Sequence, residues 1–385
     1  MAPPRLWRNP VILFLHNRYR TTGGEERVVE DLMWLVREHL GEEAELLQRD
    51  SATTGRAAAA RGLLAGGVDP DEVGRAVRRT GARVVHAHNL QPTLGWRALR
   101  AAREAGARVV LHLHNYRLVC AVGTCFNSRG EDCARCQGID TTPGIRLGCR
   151  GTGPEAAVYG AGLALQQRRL TAHADAFVVP SRPAATRLHQ LRAPVDPRRL
   201  HVVPHVMRNF AGGSQAAAGS YALVASRLAP EKGVAHAIDA CAQAGLPLRI
   251  AGDGPLEQLL RARAAAAPEA DVTFLGRLGD EALAEQRAGA ALAIVASEAA
   301  ETFGLAAAEA MAAGLPVAAT RVGALTDLLD DEALSPPGDV AALACSVTRL
   351  YGDQAEGLAN LGRVRDTCAP ARVTAALAEV YGEPG

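Results

Sequence analysis

The chain is patterned as short unbroken apolar runs separated by longer amphipathic stretches. In the first half the runs are residues 11–16 (VILFLH), 82–88 (ARVVHAH), 107–114 (ARVVLHLH) and 175–181 (DAFVVPS). Each is continuous rather than alternating, which is the pattern of a parallel strand buried on both faces. Residues 25–39 and 92–104 between them place apolar side chains at helical spacing, so the repeating unit is strand, helix, strand. The second half repeats the grammar with runs at 221–226, 248–254, 272–276, 291–297 and 316–320. Between the halves, residues 206–220 (VMRNFAGGSQAAAGS) are small, polar and without period, and read as a linker. At 385 residues the chain exceeds what one core usually serves. The expected organisation is an α/β N-terminal domain over residues 1–205, a linker, an α/β domain over 221–367 and a C-terminal segment over 368–385. Ligands of open parallel sheets lie beyond the carboxyl ends of the strands, so two facing sheets put the active site in the cleft between them.

One stretch of the second half carries the chemistry. In residues 297–320 (SEAAETFGLAAAEAMAAGLPVAAT) a strand ends at Ser297, a loop carries Glu301, and a helix begins near Phe303 or Gly304 and ends at Gly314. Unpaired N–H groups and the positive end of the helix dipole then gather at Thr302, Phe303, Gly304 and Leu305, a site for phosphate that Gly304 leaves open. Glu309, inside the helix, is placed to accept hydrogen bonds from ribose hydroxyls, and Glu301 from a second sugar. Either glutamate alone is an ordinary helix acid; its companion and Glu309's place on an apolar face favour the ligand reading. Arg227 and Lys232, in SRLAPEKG, follow a strand end and precede a helix, where both reach a diphosphate. Gly252 and Gly254, in AGDGPL, line a second strand-to-helix turn, and Leu275, in FLGRL, offers backbone groups to a base.

Composition narrows the partners. With 42 Lys plus Arg against 41 Asp plus Glu, the net charge of +1 gives no global field to draw nucleic acid. No apolar run reaches about 20 residues, and residues 11–15 are too short for a signal-peptide core, so a soluble cytoplasmic protein is expected. That compartment keeps the eight cysteines reduced. Five of them, Cys120, Cys125, Cys133, Cys136 and Cys149, fall in one glycine-rich insertion, where Cys133 and Cys136 form a CxxC. Two readings stand: a four-thiolate structural zinc site made by Cys120, Cys133, Cys136 and Cys149 with Cys125 spare, or free thiols in an acceptor loop. Asp69-Pro70-Asp71 imitates a metal-binding DxD but reads as a helix start, with Asp69 as cap and Asp71 and Glu72 in the first turn.

Taken in order and spacing, SRLAPEKG, AGDGPL, VTFLG and Glu301-x7-Glu309 followed by GLPVAAT resemble the nucleotide-sugar half of the retaining glycosyltransferases of family 4. The resemblance spans roughly residues 221–337 and implies the GT-B fold, two facing Rossmann-like domains. It implies that Arg227 and Lys232 neutralise a leaving diphosphate, that Glu301 meets the donor sugar, that Glu309 holds the ribose, and that no metal cofactor is needed. In the first half, NRYRTTGGEERVVEDL looks like the family's first-strand loop, with Gly23 and Gly24 opening a helix beneath the phosphates. VLHLHNYRLVC would set His114 beside the donor sugar; His16, His86, His88 and His112 read as sheet-end or core residues. The chain departs from the family at Ala296, at Glu298-Ala299-Ala300 and at Pro204-His205-Val206, all of which bear on the sugar pocket. The expected partners are a nucleotide-sugar donor, UDP-linked by family frequency, and a hydroxyl-bearing small-molecule, natural-product or glycan acceptor. Arg75, Arg78 and Arg79, or Arg97, Arg100 and Arg103, would serve a peripheral membrane contact or be a solvated helix face. The rival readings are a sugar-phosphate epimerase or phosphorylase of the same fold, and a non-catalytic nucleotide-sugar scaffold. The helix over about 370–381 is implied to cross back to the first domain.

Overall fold

The computed structural model describes residues 10–19 and 23–382; residues 20–22 of the first-strand loop lie outside the described part. The N-terminal sheet contains β1 (Val11–Arg18), β2 (Glu43–Asp50), β3 (Ala82–Ala87), β4 (Arg108–His112), β5 (Ala176–Val179) and β6 (Leu200–Val202). Its spatial order is β2-β1-β3-β4-β5-β6, and all pairings are parallel. The second sheet contains β7 (Ala222–Ala225), β8 (Leu248–Ala251), β9 (Val272–Gly276), β10 (Leu292–Val295), β11 (Val317–Thr320) and β12 (Leu334–Ser335), in the order β12-β11-β10-β7-β8-β9 and again parallel. Both are doubly wound α/β sheets with reversal of strand order near the centre, where the carboxyl ends leave a crevice.

β2, β6 and β12 are absent from the apolar pattern. They are edge strands, and β2 and β6 carry polar or half-exposed residues, such as Glu43, Glu45 and Arg49 in β2, whereas β12 is buried but only two residues long, too short to register as a run.

The period of two sorts each central strand of the first sheet onto two cores. Leu13, Leu15, Val85, Val109, Leu111 and Phe177 pack on one face; Ile12, Phe14, Val84, Val110 and Val178 pack on the other. Val373, Leu377, Val380 and Tyr381 of the helix Pro370–Tyr381 belong to the second of these faces, so the last helix is seated on the first sheet. Arg108 Nε donates to the Val380 carbonyl at 3.0 Å, and Arg83 Nη1 to those of Tyr381 and Gly382 at 3.2 and 3.0 Å. Two arginines of the N-terminal sheet therefore satisfy the free carbonyls at the end of that helix, where positive charge also suits the dipole.

Residues 206–220 do not hang free. Met207 N–H donates to the Cys368 carbonyl at 2.9 Å, Ala211 N–H to that of Ala312 at 2.8 Å, and Ser214 is buried. The small residues that look like a flexible tether instead allow close packing: a Cβ on Gly314 would stand 2.7 Å from the Gly213 carbonyl.

The Asp69 cap is not formed. Asp69 adopts φ 39°, Pro70 precedes the helix Asp71–Thr80, and no side chain caps it, although Asp71 and Glu72 occupy the first turn. Arg75, Arg79, Arg100 and Arg103 each pair with an acid, Asp69, Glu45, Glu104 and Asp175 respectively. Among the described residues no helix is long and apolar enough to cross a membrane.

Candidate active site in the interdomain cleft

A cleft of about 960 Å³ runs between the two sheets. β10 delivers Ser297 and the Glu301 loop to it, and the helix Leu305–Ala312 starts at its wall. Gly304 stands at φ +83° immediately before that helix, and a Cβ there would meet Leu325 Cδ2 at 2.7 Å; only glycine both turns the chain and lets the first N–H groups face the cleft. Gly252 is held equally tightly, since a Cβ would fall 1.8 Å from the Ser226 carbonyl oxygen. The close approach of the β7 and β8 loops thus depends on it.

The charged residues of this wall are paired with each other. Lys232 Nζ donates to Glu301 Oε1 at 2.6 Å, and Ser297 Oγ donates to the same oxygen at 2.6 Å. Burial raises the Glu301 pKa, but the Lys232 charge and the bonds from Lys232 and Ser297 outweigh it, so the carboxyl lies below its ordinary value. Arg227 pairs with Glu231, and Glu309 pairs with Arg287. Glu309 Oε1 also lies 3.0 Å from Arg27 Nη1 of the first domain, and Arg27 reaches Asp280 at 3.3 Å.

The opposite wall is built by the first sheet. Gly23 and Gly24 precede and open the helix Gly24–Leu35, whose entry is fixed by the Gly23 N–H donating to Glu26 Oε2 at 2.8 Å. His114 follows β4 and lines the cleft, and its carbonyl accepts from Thr302 Oγ1 at 2.7 Å. Ser181 Oγ donates to the Thr302 carbonyl at 2.7 Å. Two hydrogen bonds to one residue thus tie the walls together beside the helix start. Gly23, Gly24, His114, Arg227, Lys232, Gly252, Gly254, Glu301, Thr302, Phe303, Gly304, Leu305 and Glu309 all line this one cleft. Leu275 does not; it packs against the C-terminal core, and Arg277 and Leu278, beyond the end of β9, take its place on the cleft wall.

His114 does not stand alone. The face of the sheet that carries Phe14, Val84 and Val110 continues toward the cleft as His16, His86, His88, His112 and His114, all buried, and His205 joins them. His112 and His114 stack at 3.9 Å, His88 and His114 at 5.0 Å, and His88 Nδ1 shares a hydrogen with His114 Nε2 at 2.7 Å. At the far end His86 Nδ1 meets the Tyr381 hydroxyl at 2.7 Å. Burial, reinforced by the neighbouring imidazoles, holds His88, His112 and His114 well below the ordinary histidine range; burial alone takes His86 and His205 to about 3. His86, His88, His112, His114 and His205 are therefore neutral at pH 7. Ligating nitrogens of His112, His114 and His205 lie within 4.8 Å of one another. The His112 and His114 rings, however, are parallel to within 12°, so their in-plane lone pairs run side by side and do not converge on one ion.

The five cysteines of the insertion line one small, otherwise apolar cavity with Phe126, Leu147 and Leu191. All are free thiols. Among the described residues, the groups of three or more ligating side chains whose atoms gather within 4.8 Å are histidines; Cys120, Cys133, Cys136 and Cys149 form none. The sulfurs are thus spread wider than a four-thiolate zinc site requires. A hydrogen bond with Cys125 lowers the Cys120 thiol to about 6 against the opposing effect of burial.

The sequence of the C-terminal half matches the glycosyl transferases group 1 model over residues 215–363, and the N-terminal half matches the glycosyl transferase 4-like domain over residues 25–205. The chain belongs to the group 1 glycosyltransferases. It is 35% identical over 191 residues to an exopolysaccharide phosphotransferase of Streptomyces coelicolor, covering 47% of this chain and 20% of that protein. It is 34% identical over 185 residues to the 2-deoxystreptamine glucosyltransferase of Streptomyces kanamyceticus, covering 45% and 47%. The chain spans less than half the length of these curated relatives. Among solved structures it superposes on HepE of Anabaena in complex with UDP and glucose (TM-score 0.64, 18% identity, 96% of this chain and 98% of that one). It also superposes on sucrose-phosphate synthase of Thermosynechococcus elongatus (TM-score 0.69, 19% identity, 97% and 98%). The architecture is GT-B.

In this group 1 glycosyltransferase three features of the cleft escape sequence reasoning. Arg27 and Arg287 face Glu309 from elements 282 and 22 positions away. His205, which stands in the stretch that departs from the family, packs its ring 4.5 Å from Phe303. The histidine column was signalled only by the i, i+2 spacing in HAH and HLH, which puts both members of each pair on one sheet face.

Proposed function

We propose that the chain is a retaining glycosyltransferase that moves a hexosyl group from a nucleotide sugar, UDP-linked in the first instance, to a hydroxyl of a small-molecule, natural-product or glycan acceptor. The observation that carries this reading is the convergence of Arg227, Lys232, Glu301, Glu309 and the N-terminus of the helix Leu305–Ala312 in one cleft, with His114 opposite. Group 1 membership and the likeness to a UDP-bound fold support it.

In this reading the diphosphate lies at the helix start, where free N–H groups and the dipole meet Arg227 and Lys232. The phosphate draws Lys232 away from Glu301, which then accepts hydrogen bonds from donor-sugar hydroxyls. Glu309 exchanges its arginines for the ribose hydroxyls. The glycines at 23, 24, 252 and 254 keep both walls close to the phosphates. His114, neutral and held by His88, hydrogen-bonds the donor sugar. Arg227, Lys232 and the helix dipole supply the positive charge at the leaving group, so we expect catalysis without a divalent ion. The anomeric bond breaks first, and the acceptor hydroxyl enters on the face that the diphosphate leaves and gives its proton to that departing diphosphate, which retains configuration. We further propose domain roles of acceptor binding for 1–205 and donor binding for 221–367, and a cytoplasmic location.

The test is a thermal-shift screen against UDP, GDP, ADP, TDP and their sugars in EDTA, beside a Glu309→Ala variant. A shift with one nucleotide family that survives EDTA and vanishes in the variant supports the reading. No shift with any nucleotide sinks it together with the nucleotide-sugar scaffold, and a β-linked product from an α-linked donor sinks retention.

A further inference from the structure

Lys232 and Glu301 come from two different loops, and those loops are joined by contacts that the donor reading does not use. The N–H groups of Glu298 and Ala299 donate to the Glu231 carbonyl at 2.9 and 3.4 Å. Gly233, at φ +57°, lets the two chain segments meet, because a Cβ there would fall 1.9 Å from the Ala296 carbonyl oxygen. One side-chain bond completes the junction: His236 Nδ1 donates to Glu298 Oε1 at 2.7 Å. His236 stands in the first turn of the helix Val234–Ala244, where the dipole favours the Glu298 carboxylate. Glu298 precedes Glu301 by three residues and His236 follows Lys232 by four, so the bond braces both loops close to the pair that faces the cleft. Glu298 also belongs to the stretch in which the chain departs from the family, so the brace is a feature of this chain.

We infer that His236 is a positioning residue for the donor sugar: through Glu298 it sets how the 298–301 loop presents Glu301, and its protonation state tunes the grip on that sugar. The inference rests on the donor reading above, which places the sugar at Glu301. The two side chains are 31% and 18% exposed, so the pair is screened less than one on the open surface. The bond to Glu298 holds His236 above the ordinary 6.5 against the opposing effect of burial. The other charges near the ring are committed. Asp239, on the same helix, and Arg263, on the helix Glu257–Ala265, act in opposite senses and pair with each other. Glu231 holds Arg227, Lys232 holds Glu301, and Glu257 holds Arg261. Arg349, on the helix Val340–Leu350 packed alongside, donates to the Glu332 carbonyl, and Glu269, in the turn Pro268–Ala270, is exposed. Glu298 is therefore the partner that decides the ring's behaviour. The imidazolium gives a charge-assisted bond; the neutral ring still donates from Nδ1–H but without the charge, and the brace loosens. Because the folded value is raised, the charged brace is complete below about 6.5 and is lost as pH climbs through that higher value.

The test is calorimetry on the full-length protein between about pH 6.5 and 9, with UDP, UDP-glucose, UDP-galactose and UDP-N-acetylglucosamine as probes. The ratio of the UDP Kd to the UDP-sugar Kd reports the grip on the sugar, and comparing variants at each pH cancels the ionisation of the ligands. For the sugar bound best, wild type should lose about three- to tenfold of this ratio across the range. His236→Gln and Glu298→Gln should sit at the low value throughout, whereas His236→Arg, charged at every pH, should keep the high value to the alkaline end. By linkage the same sugar should raise the His236 titration midpoint, read by NMR on wild type, by about 0.5–1 pH unit. Melting temperatures serve as the folding control, and the NMR shift reads the coupling without any substitution. A ratio independent of pH in wild type overturns the inference, as does a decline that persists unchanged in His236→Gln. Equal loss in His236→Arg and His236→Gln would make the residue a packing element and also overturn it. UDP binding with no gain from any of the sugars overturns it too, whereas failure of UDP itself to bind wild type is a separate result that removes the donor reading.

Discussion

The two walls of the cleft are built by different means. In the C-terminal wall the charged groups sit in the segments that directly follow a strand: Arg227 and Lys232 in the loop after β7, Glu301 in the loop after β10, and Glu309 about one turn into the helix that comes next. In the N-terminal wall, His114 owes its surroundings to His88, His112 and His205, which are 26, 2 and 91 positions away. Strand-loop-helix geometry is local, so the first wall could be read from spacing. The second depends on which strands lie side by side, and register is a tertiary property.

The same contrast marks what was legible in the rest of the fold. The central strands announce themselves because burial on both faces demands continuous apolar runs; β2 and β6 do not, because they carry polar or half-exposed residues, and β12 does not, because it is only two residues long. The pairings of Lys232 with Glu301 and Arg27 with Glu309 join residues 69 and 282 apart, and no motif encodes them. Leu275 was misplaced by a few residues because β9 runs through Gly276 before the chain turns toward the cleft.

The largest effect should come from the charged pair of the C-terminal wall. Lys232→Ala and Glu301→Gln are each expected to lower kcat by roughly 10²–10³-fold, the usual loss when a preorganised electrostatic contact to the transition state is removed. Because the two side chains are bonded to each other, the double variant should cost about as much as the worse single one. Additive losses in steady-state assays would show that the pair acts as two separate groups. Glu309→Ala is expected to act on binding instead, weakening UDP by about 10–100-fold, the range for a hydrogen bond to a charged group. Calorimetry with UDP and 2′-deoxy-UDP checks this, since wild type should discriminate between them and the variant should not. Equal discrimination in both proteins would remove the ribose from Glu309.

Acid should separate the walls without any substitution. His86, His88, His112, His114 and His205 have folded pKa values below the ordinary 6.5, so between about 6.5 and 3 the unfolded chain binds more protons and stability falls as pH is lowered. Glu301, whose folded pKa is depressed below 4.5, contributes stability that is complete above about 4.5 and is lost only as pH drops through its lower folded value. Melting curves should therefore decline from about pH 6.5 downward through the N-terminal wall first. Replacing His86 and His112 by Gln should flatten the decline between pH 6.5 and 5, at the cost of some stability at pH 7. A decline of unchanged slope in that variant would shift the acid sensitivity elsewhere.

The smallest expected effect tests a place where the walls meet through charge. Arg27 holds Glu309 and Asp280 across the cleft, and its side chain is 40% exposed, so the contact is worth only the ~0.2–1 kcal/mol typical of solvent-screened ion pairs. A nucleotide whose ribose needs Glu309 must displace this arginine. Arg27→Gln should then tighten UDP about two- to fivefold, because the variant has one ion pair fewer to break before the ligand enters. The direction matters more than the size: weaker UDP binding in Arg27→Gln would make Arg27 a donor ligand supplied by the N-terminal wall, and the division of labour between the walls would no longer hold. Pairing the variant with Asp280→Asn resolves the remaining contact. Removing Asp280 leaves Arg27 on Glu309 and should leave UDP binding unchanged or slightly weakened, whereas a latch resting on Asp280 alone would open in both.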